Sequence, residues 1–291
     1  MMSALRLVAT RYGWLMVYCA LSLALLIAAA SPGLADGNDS APAKRVLRIG
    51  ADPNNLPFTN QRLEGFENKI AELLAKDLGA EIEYVWKPQR RSFFRQLLSG
   101  GQADLVIGVP HELAEARTTQ PYYRSRYVFV YREDSPLSFT SFGDPSLLDS
   151  RIGVHLAGRN GTPPALELAA RGLISNVHSY AVYGDTKEES PVGKIIEAVA
   201  DKQLDVAIVW GPVGGYFAKR QSVPLKVIPV PENDTKAGLR FSFDISIGVS
   251  KDNNALCQEL DEFLVRRREL VDSILQRFGV PLASATEEKR E

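Results

Sequence analysis

The chain has 291 residues, 45% hydrophobic and 24% charged, with 34 Lys+Arg against 35 Asp+Glu. That composition excludes wholesale disorder, and a net charge of −1 gives no field for holding nucleic acid or an anionic membrane. Two cysteines exclude both a disulfide scaffold and a multi-thiolate zinc module.

Residues 1–35 carry Arg6 and Arg11, no acid, and the apolar run Trp14–Ala30, followed by Ser31-Pro32-Gly33-Leu34-Ala35. A basic start, an apolar stretch and small residues at Gly33 and Ala35 read as a secretory signal cleaved near Ala35/Asp36. The apolar run falls short of the roughly 20 residues of a spanning helix. The mature chain is therefore expected in the periplasm, without stable membrane insertion. Cys19 lies too deep in the apolar run for a lipid acceptor and leaves with it, so Cys257 remains as a buried helical residue.

A polar leader spans 36–44, and Val46–Ala51 then reads as a buried strand. Gly65–Leu78 sets Ile70, Leu73, Leu74 and Leu78 at helical spacing and stops at Gly79. Glu81–Trp86 is a second strand, Ser92–Ser99 a short helix, Ala103–Val109 a third strand and Tyr127–Arg132 a fourth. The plan then repeats. Arg151-Ile152-Gly153-Val154 echoes Arg48-Ile49-Gly50-Ala51, and Gln203-Leu204-Asp205 echoes Gln102-Ala103-Asp104. Between the second pair lie a helix at Ala165–Arg171, a strand at Val177–Val182 and a helix carrying Val192, Ile195, Ile196 and Val199. The strand Leu204–Trp210 closes the unit.

After Val230 only a strand (Asp244–Val249) and a long helix (Asn254–Phe278) remain. They cannot bury themselves alone and must return to the first lobe. The expected fold is α/β and two-lobed: 45–133 plus 229–283 form lobe I, 134–228 form lobe II, and 284–291 is a polar tail. The chain crosses near Glu133–Ser135 and Val227–Pro231, which makes a two-strand hinge beside a cleft.

Catalytic motifs are missing. There is no Gly-x-Ser-x-Gly elbow, P-loop or Gly-x-Gly-x-x-Gly, and His111-Glu112-Leu113-Ala114-Glu115 lacks the second histidine of a zinc-protease helix. His111, His155 and His178 are scattered, so no metal site and no cofactor is expected. Ligands of open α/β sheets sit beyond the carboxyl ends of the strands. That points to the loop after the first strand (Asp52, Asn54, Asn55, Phe58), to Pro110 after the third, to Asn160 and Thr162 after Gly158, and to Trp210. Arg90 and Arg91 either pair with surface acids or line the cleft mouth. Tyr122, Tyr123 and Tyr127 belong to core or cleft, and Arg266-Arg267-Arg268 reads as a solvated helix face. Asp52, Glu67 and Asp185 are the carboxylates available to an acid–base site.

Several segments in order resemble the amino-acid-binding type of periplasmic solute-binding protein, and more closely its methanol-oxidation branch, the MxaJ/XoxJ proteins. They are Ala51–Phe58, Gly65–Ala75 (with Phe66 and Glu67), Pro88–Phe93, Pro121–Val130, Tyr183-Gly184-Asp185, Val206–Lys219 and Phe278-Gly279-Val280-Pro281. The resemblance runs from Val46 to Leu282. It implies a type II binding-protein fold and a cleft built from the loops above, with His155 and Asp185. It also implies a non-enzymatic accessory of a quinoprotein (PQQ-dependent) methanol or alcohol dehydrogenase, with that enzyme and its cytochrome c as partners. Members often carry a Cys where this chain has Gly50 and Ala103. Amino-acid-binding relatives grip the ligand carboxylate with an Arg after the third strand, where Arg117 is the nearest and fits poorly. The rival roles are an ABC-importer binding protein for a small solute and a dehydratase-like enzyme on the same fold.

Overall fold

The structure is a computed structural model describing residues 44–90, 92–157, 160–182 and 190–283. The expected signal, most of the leader and the polar tail lie outside the described residues, as do Arg91 and Asp185. From Lys44 onward the chain forms one unit. No helix among the described residues is long and apolar enough to cross a membrane.

The first βαβ unit runs β1 (Val46–Ala51), α1 (Phe66–Leu78) and β2 (Glu81–Trp86). The helix buries Ile70, Ala71 and Leu74 on the face their spacing predicts, and Gly79 ends it at φ 61°, a conformation that favours glycine. Gly65 opens it. A methyl there would overlap the Phe58 carbonyl, so this glycine lets the helix start lie directly on the loop after β1. The expected helix at Ser92–Ser99 is a single π turn, Arg95–Ser99, that buries Leu97 and Leu98. β3 (Leu105–Pro110) follows.

β4 (Tyr123–Arg132) is longer than the sequence reading, which began it at Tyr127. The polar alternation Arg124-Ser125-Arg126 disguises its first half. In the fold Arg124 reaches Asp244 and Ser242 on the neighbouring strand, and Ser125 Oγ donates to Pro281 O. The second unit holds β5 (Ile152–Ala157), α2 (Pro163–Ala170), β6 (Val177–Ala181), α3 (Lys194–Ala200) and β7 (Val206–Trp210). Next come α4 (Gly211–Ala218), to which the sequence reading assigns no element, and β8 (Leu225–Pro229). β9 (Ser242–Val249), α5 (Asn254–Arg266) and α6 (Arg268–Arg277) complete the chain. One long helix was expected in place of the last two. It breaks at Arg267, where Arg266 and Arg267 both bind Asp77 of α1 at 2.8 and 2.6 Å. Two of the three arginines are thus anchored and not merely solvated.

The strand order is β6-β5-β7-β4-β9-β3-β1-β2, with β8 also paired to β4. β4 is shared. Its residues Tyr123–Arg126 lie antiparallel to β9, and from Tyr127 it pairs with β7 and β8. The change of partner falls between Arg126 and Tyr127, ahead of the expected Glu133–Ser135, because one continuous strand makes the crossing. One core packs α1, α5 and α6 on the first sheet, and two others cover the faces of the second.

The internal echo has a physical basis. Arg48 N and Nη2 grip Asp104 at 2.8 and 2.6 Å, and Arg151 N and Nη2 grip Asp205 at 2.7 Å each. In both halves an arginine in or just before the first strand clamps the aspartate immediately ahead of the third. These pairs are partly exposed and each is worth under about 1 kcal/mol. Their role is to set the register of β1 with β3 and of β5 with β7.

Candidate functional site

A cavity of about 410 Å³ lies where the carboxyl ends of β1 and β3 face those of β5 and β7. Asp52, Asn55, Phe58, Glu67, Pro110, Tyr123, His155, Thr162 and Trp210 line it. Several lining residues escaped the sequence reading: Gln89, Phe93, Phe94, Val192 and Ile245; Tyr127, which it left between core and cleft, also lines the cavity. Phe93 and Phe94 carried the one available signal, an aromatic pair next to Arg90-Arg91. The other candidates sit elsewhere. Phe66 and Tyr122 are core residues, 0% and 1% exposed. Asn54 is not part of the lining; its Oδ1 accepts from Ser190 N at 3.3 Å, which ties the loop after β1 to the segment ahead of α3. Arg90 is exposed on the surface. The backbone of Asn160 pairs with Ala157 of β5. Arg117 is remote from the cavity and donates to Lys251 O.

Asp52 is held rigidly. Its two carboxylate oxygens accept from Asn54 N at 2.8 Å and Gln89 N at 2.5 Å. Burial raises its pKa, and these two donors oppose the rise. Glu67 differs. It is 8% exposed, lines the cavity and has no hydrogen-bond partner among the described residues. Burial holds its carboxyl well above the usual carboxylate range, and the nearby Asp52 adds to this. The carboxyl fits because residue 108 is glycine: a Cβ on Gly108 would overlap Glu67 Oε1, and Gly108 also adopts φ 81°.

Across the cavity, His155 of β5 is 5% exposed and its Nε2 donates to Val192 O at 3.1 Å. Burial lowers its pKa to about 4, and the Val192 carbonyl only partly compensates. Its backbone oxygen accepts from Thr162 Oγ1 at 2.7 Å, which fixes the start of α2. Tyr127 and Trp210 meet edge to face at 5.5 Å and form an aromatic wall.

A pH dependence follows. In the unfolded chain His155 takes a proton near pH 6.5, whereas in the fold it stays neutral to about 4. The unfolded state therefore binds more protons, and stability falls as pH drops through that window. The expected loss is ~2–3 kcal/mol between neutral pH and about pH 4.5. Urea unfolding at several pH values measures it, and His155→Gln should flatten the slope. An unchanged slope in that variant would assign the acid sensitivity to other groups. The remaining histidines do not approach this site. His111 Nδ1 lies 3.0 Å from Ser246 Oγ, and His178 is exposed. No group of three or more His, Cys, Asp or Glu suited to a metal ion gathers among the described residues.

Comparison with known proteins agrees with this architecture. The model for bacterial extracellular solute-binding proteins, family 3, matches residues 47–279. Protein MoxJ of Methylorubrum extorquens is 30% identical in an alignment of 254 residues that covers 83% of this chain and 83% of MoxJ. The crystal structure of MxaJ from Methlophaga aminisulfidivorans superposes with a TM-score of 0.71 at 26% identity, covering 81% of this chain and 100% of that one. That of periplasmic binding protein XoxJ from Methylobacterium extorquens AM1 gives 0.67 at 34% identity, covering 82% and 99%. With its type II binding-protein fold and a cavity between two sheets, the chain belongs to the family 3 bacterial extracellular solute-binding proteins and is of their MoxJ/MxaJ/XoxJ type.

Proposed function

We propose that this chain is a periplasmic, non-enzymatic accessory of a PQQ-dependent methanol or alcohol dehydrogenase, working through the cavity between its two sheets. The observation carrying this reading is its likeness to MoxJ, MxaJ and XoxJ over more than four-fifths of its length. The lobes hinge where β4 changes sheets at Arg126/Tyr127 and along the return from Val230 to Phe241. A ligand drives closure only by binding the closed state more tightly than the open one. The candidate residues that line the cavity act in binding, and the amino-terminal segment acts as the export signal.

Affinity capture of the tagged full-length protein from periplasm tests the role. The expected result is co-purification of a quinoprotein dehydrogenase or its cytochrome c. Capture of a tightly held free solute with neither protein would overturn it in favour of an importer component.

A further inference from the structure

The cavity has an unusual balance of charge. Among the described residues that line it there are two carboxyl groups and no Lys or Arg. A free amino acid or other carboxylate entering here finds no cation among the described lining residues to neutralise it, and burying an unpaired anion is costly. The remaining walls are largely aromatic and aliphatic, with Phe58, Phe93, Tyr127 and Trp210 among the aromatic lining.

Against those walls stands the Glu67 carboxyl, more than nine-tenths buried, aimed into the cavity and without a partner. Buried polar groups are normally satisfied, so an orphan facing a cavity marks where a ligand atom belongs. Among the described residues, the titratable groups around Glu67 are Asp52 after β1, Tyr84 of β2, Tyr122 just ahead of β4 and Tyr123 at its start. None is a cation. Burial and the Asp52 charge both favour the neutral acid, which offers an O–H. The room left by Gly108 fixes the carboxyl in place, and Asp52 cannot swing across to it because both its oxygens are held by backbone N–H groups.

We propose that the cleft binds a small uncharged carbonyl compound, apolar apart from its oxygen, with the Glu67 carboxyl as the hydrogen-bond donor. The aromatic walls bury the apolar body, and the O–H of Glu67 selects an oxygen acceptor over a hydrocarbon. The proposal rests on the cavity being the working site of the accessory role above, and it names the class of ligand.

The test uses four probes of one size on the mature protein: acetophenone, ethylbenzene, benzoate and benzylamine, followed by calorimetry and ligand-observed NMR. Acetophenone should bind about 3–10-fold more tightly than ethylbenzene, the range expected for one hydrogen bond to a neutral acceptor. Benzoate should not bind. Binding of the ketone should release no proton, so its apparent enthalpy should be the same in buffers of different ionisation enthalpy. Glu67→Gln keeps an N–H donor and should stay within about threefold, while Glu67→Leu should bring the ketone down to the ethylbenzene level. If Glu67→Leu does not fold, the Gln variant and the proton count decide.

Preferred binding of benzylamine, with proton release and loss in Glu67→Gln, would overturn the proposal and make this a cation site, with the cleft still in use. Equal binding of ketone and hydrocarbon, or binding of none of the four, would also overturn it. In each case capture of a dehydrogenase from periplasm remains a separate result, so the ligand class and the accessory role fail independently.

Discussion

Glu167→Ala should cost the fold about 3–5 kcal/mol, the range for removing one partner from a buried charge network. Glu167 of α2 is 0% exposed. Its Oε1 accepts from Arg171 Nε and Lys236 N, each at 2.6 Å, and its Oε2 from Thr235 Oγ1 and Ala237 N, each at 3.0 Å. Arg171 continues to Asp234 at 2.8 Å, and Asp234 accepts from Phe142 N. Burial alone would raise the Glu167 carboxyl, but the four donors prevail and hold it below the usual range. Its contribution is therefore present at neutral pH and lost as pH falls through that lowered value.

The same donors fasten residues 234–237, part of the return between sheets, to α2. Urea unfolding should show the loss, and hydrogen exchange should show early opening at Lys236, Ala237 and Leu239. A cost under about 1 kcal/mol with unchanged exchange would mean that the network is redundant.

Leu56→Ala is expected to cost about 2–5 kcal/mol and to loosen the cleft. Leu56 belongs to the loop after β1, yet it is 7% exposed and packs in the core of the second sheet with Val192, Ile195 and Val213. It is a plug from one half set into the other. Phe278, after α6, repeats the device by stacking on Tyr216 of α4 at 5.7 Å. With Leu56 truncated, the contacts between the two halves weaken, so the radius of gyration from small-angle scattering should rise and Trp210 should become easier to quench. Destabilisation with an unchanged radius and unchanged quenching would show that Leu56 stabilises the second core without governing closure.

Much of the fold is legible in the sequence because local pattern and tertiary demand coincide. Ile70, Leu74 and Gly79 define α1, and the repeated arginine–aspartate clamps mark the two parallel units. The reading failed where local signals disagree with the outcome. Gly211, Gly214 and Gly215 argue against helix, but a methyl on Gly215 would overlap the Gly279 carbonyl. Close packing of the C-terminal turn on α4 therefore requires small residues there, and only the assembled structure shows that. At the site, the strand-end loops drew attention to Asp52, Phe58, Pro110 and Trp210, all of which line the cavity. Glu67 stood out only as one of three carboxylates. Its pairing with Gly108 joins residues distant in sequence and leaves no periodic trace. Arg91 and Asp185 remain candidates on sequence alone.

The position of β9 also dictates when each half can be finished. Every strand of the second sheet, from Tyr127 to Pro229, is continuous in the chain and can assemble once that stretch is available. The first sheet cannot. β9 lies between β3 and β4, and α5 and α6 cover the same half, so its centre stays open until residues 242–277 arrive. For a chain delivered amino end first, the half that begins the sequence is the last to close. The edges of β3 and β4 stay exposed in the meantime, a window for misassociation. Carboxy-terminal truncations should therefore harm the amino-terminal half before the middle of the protein.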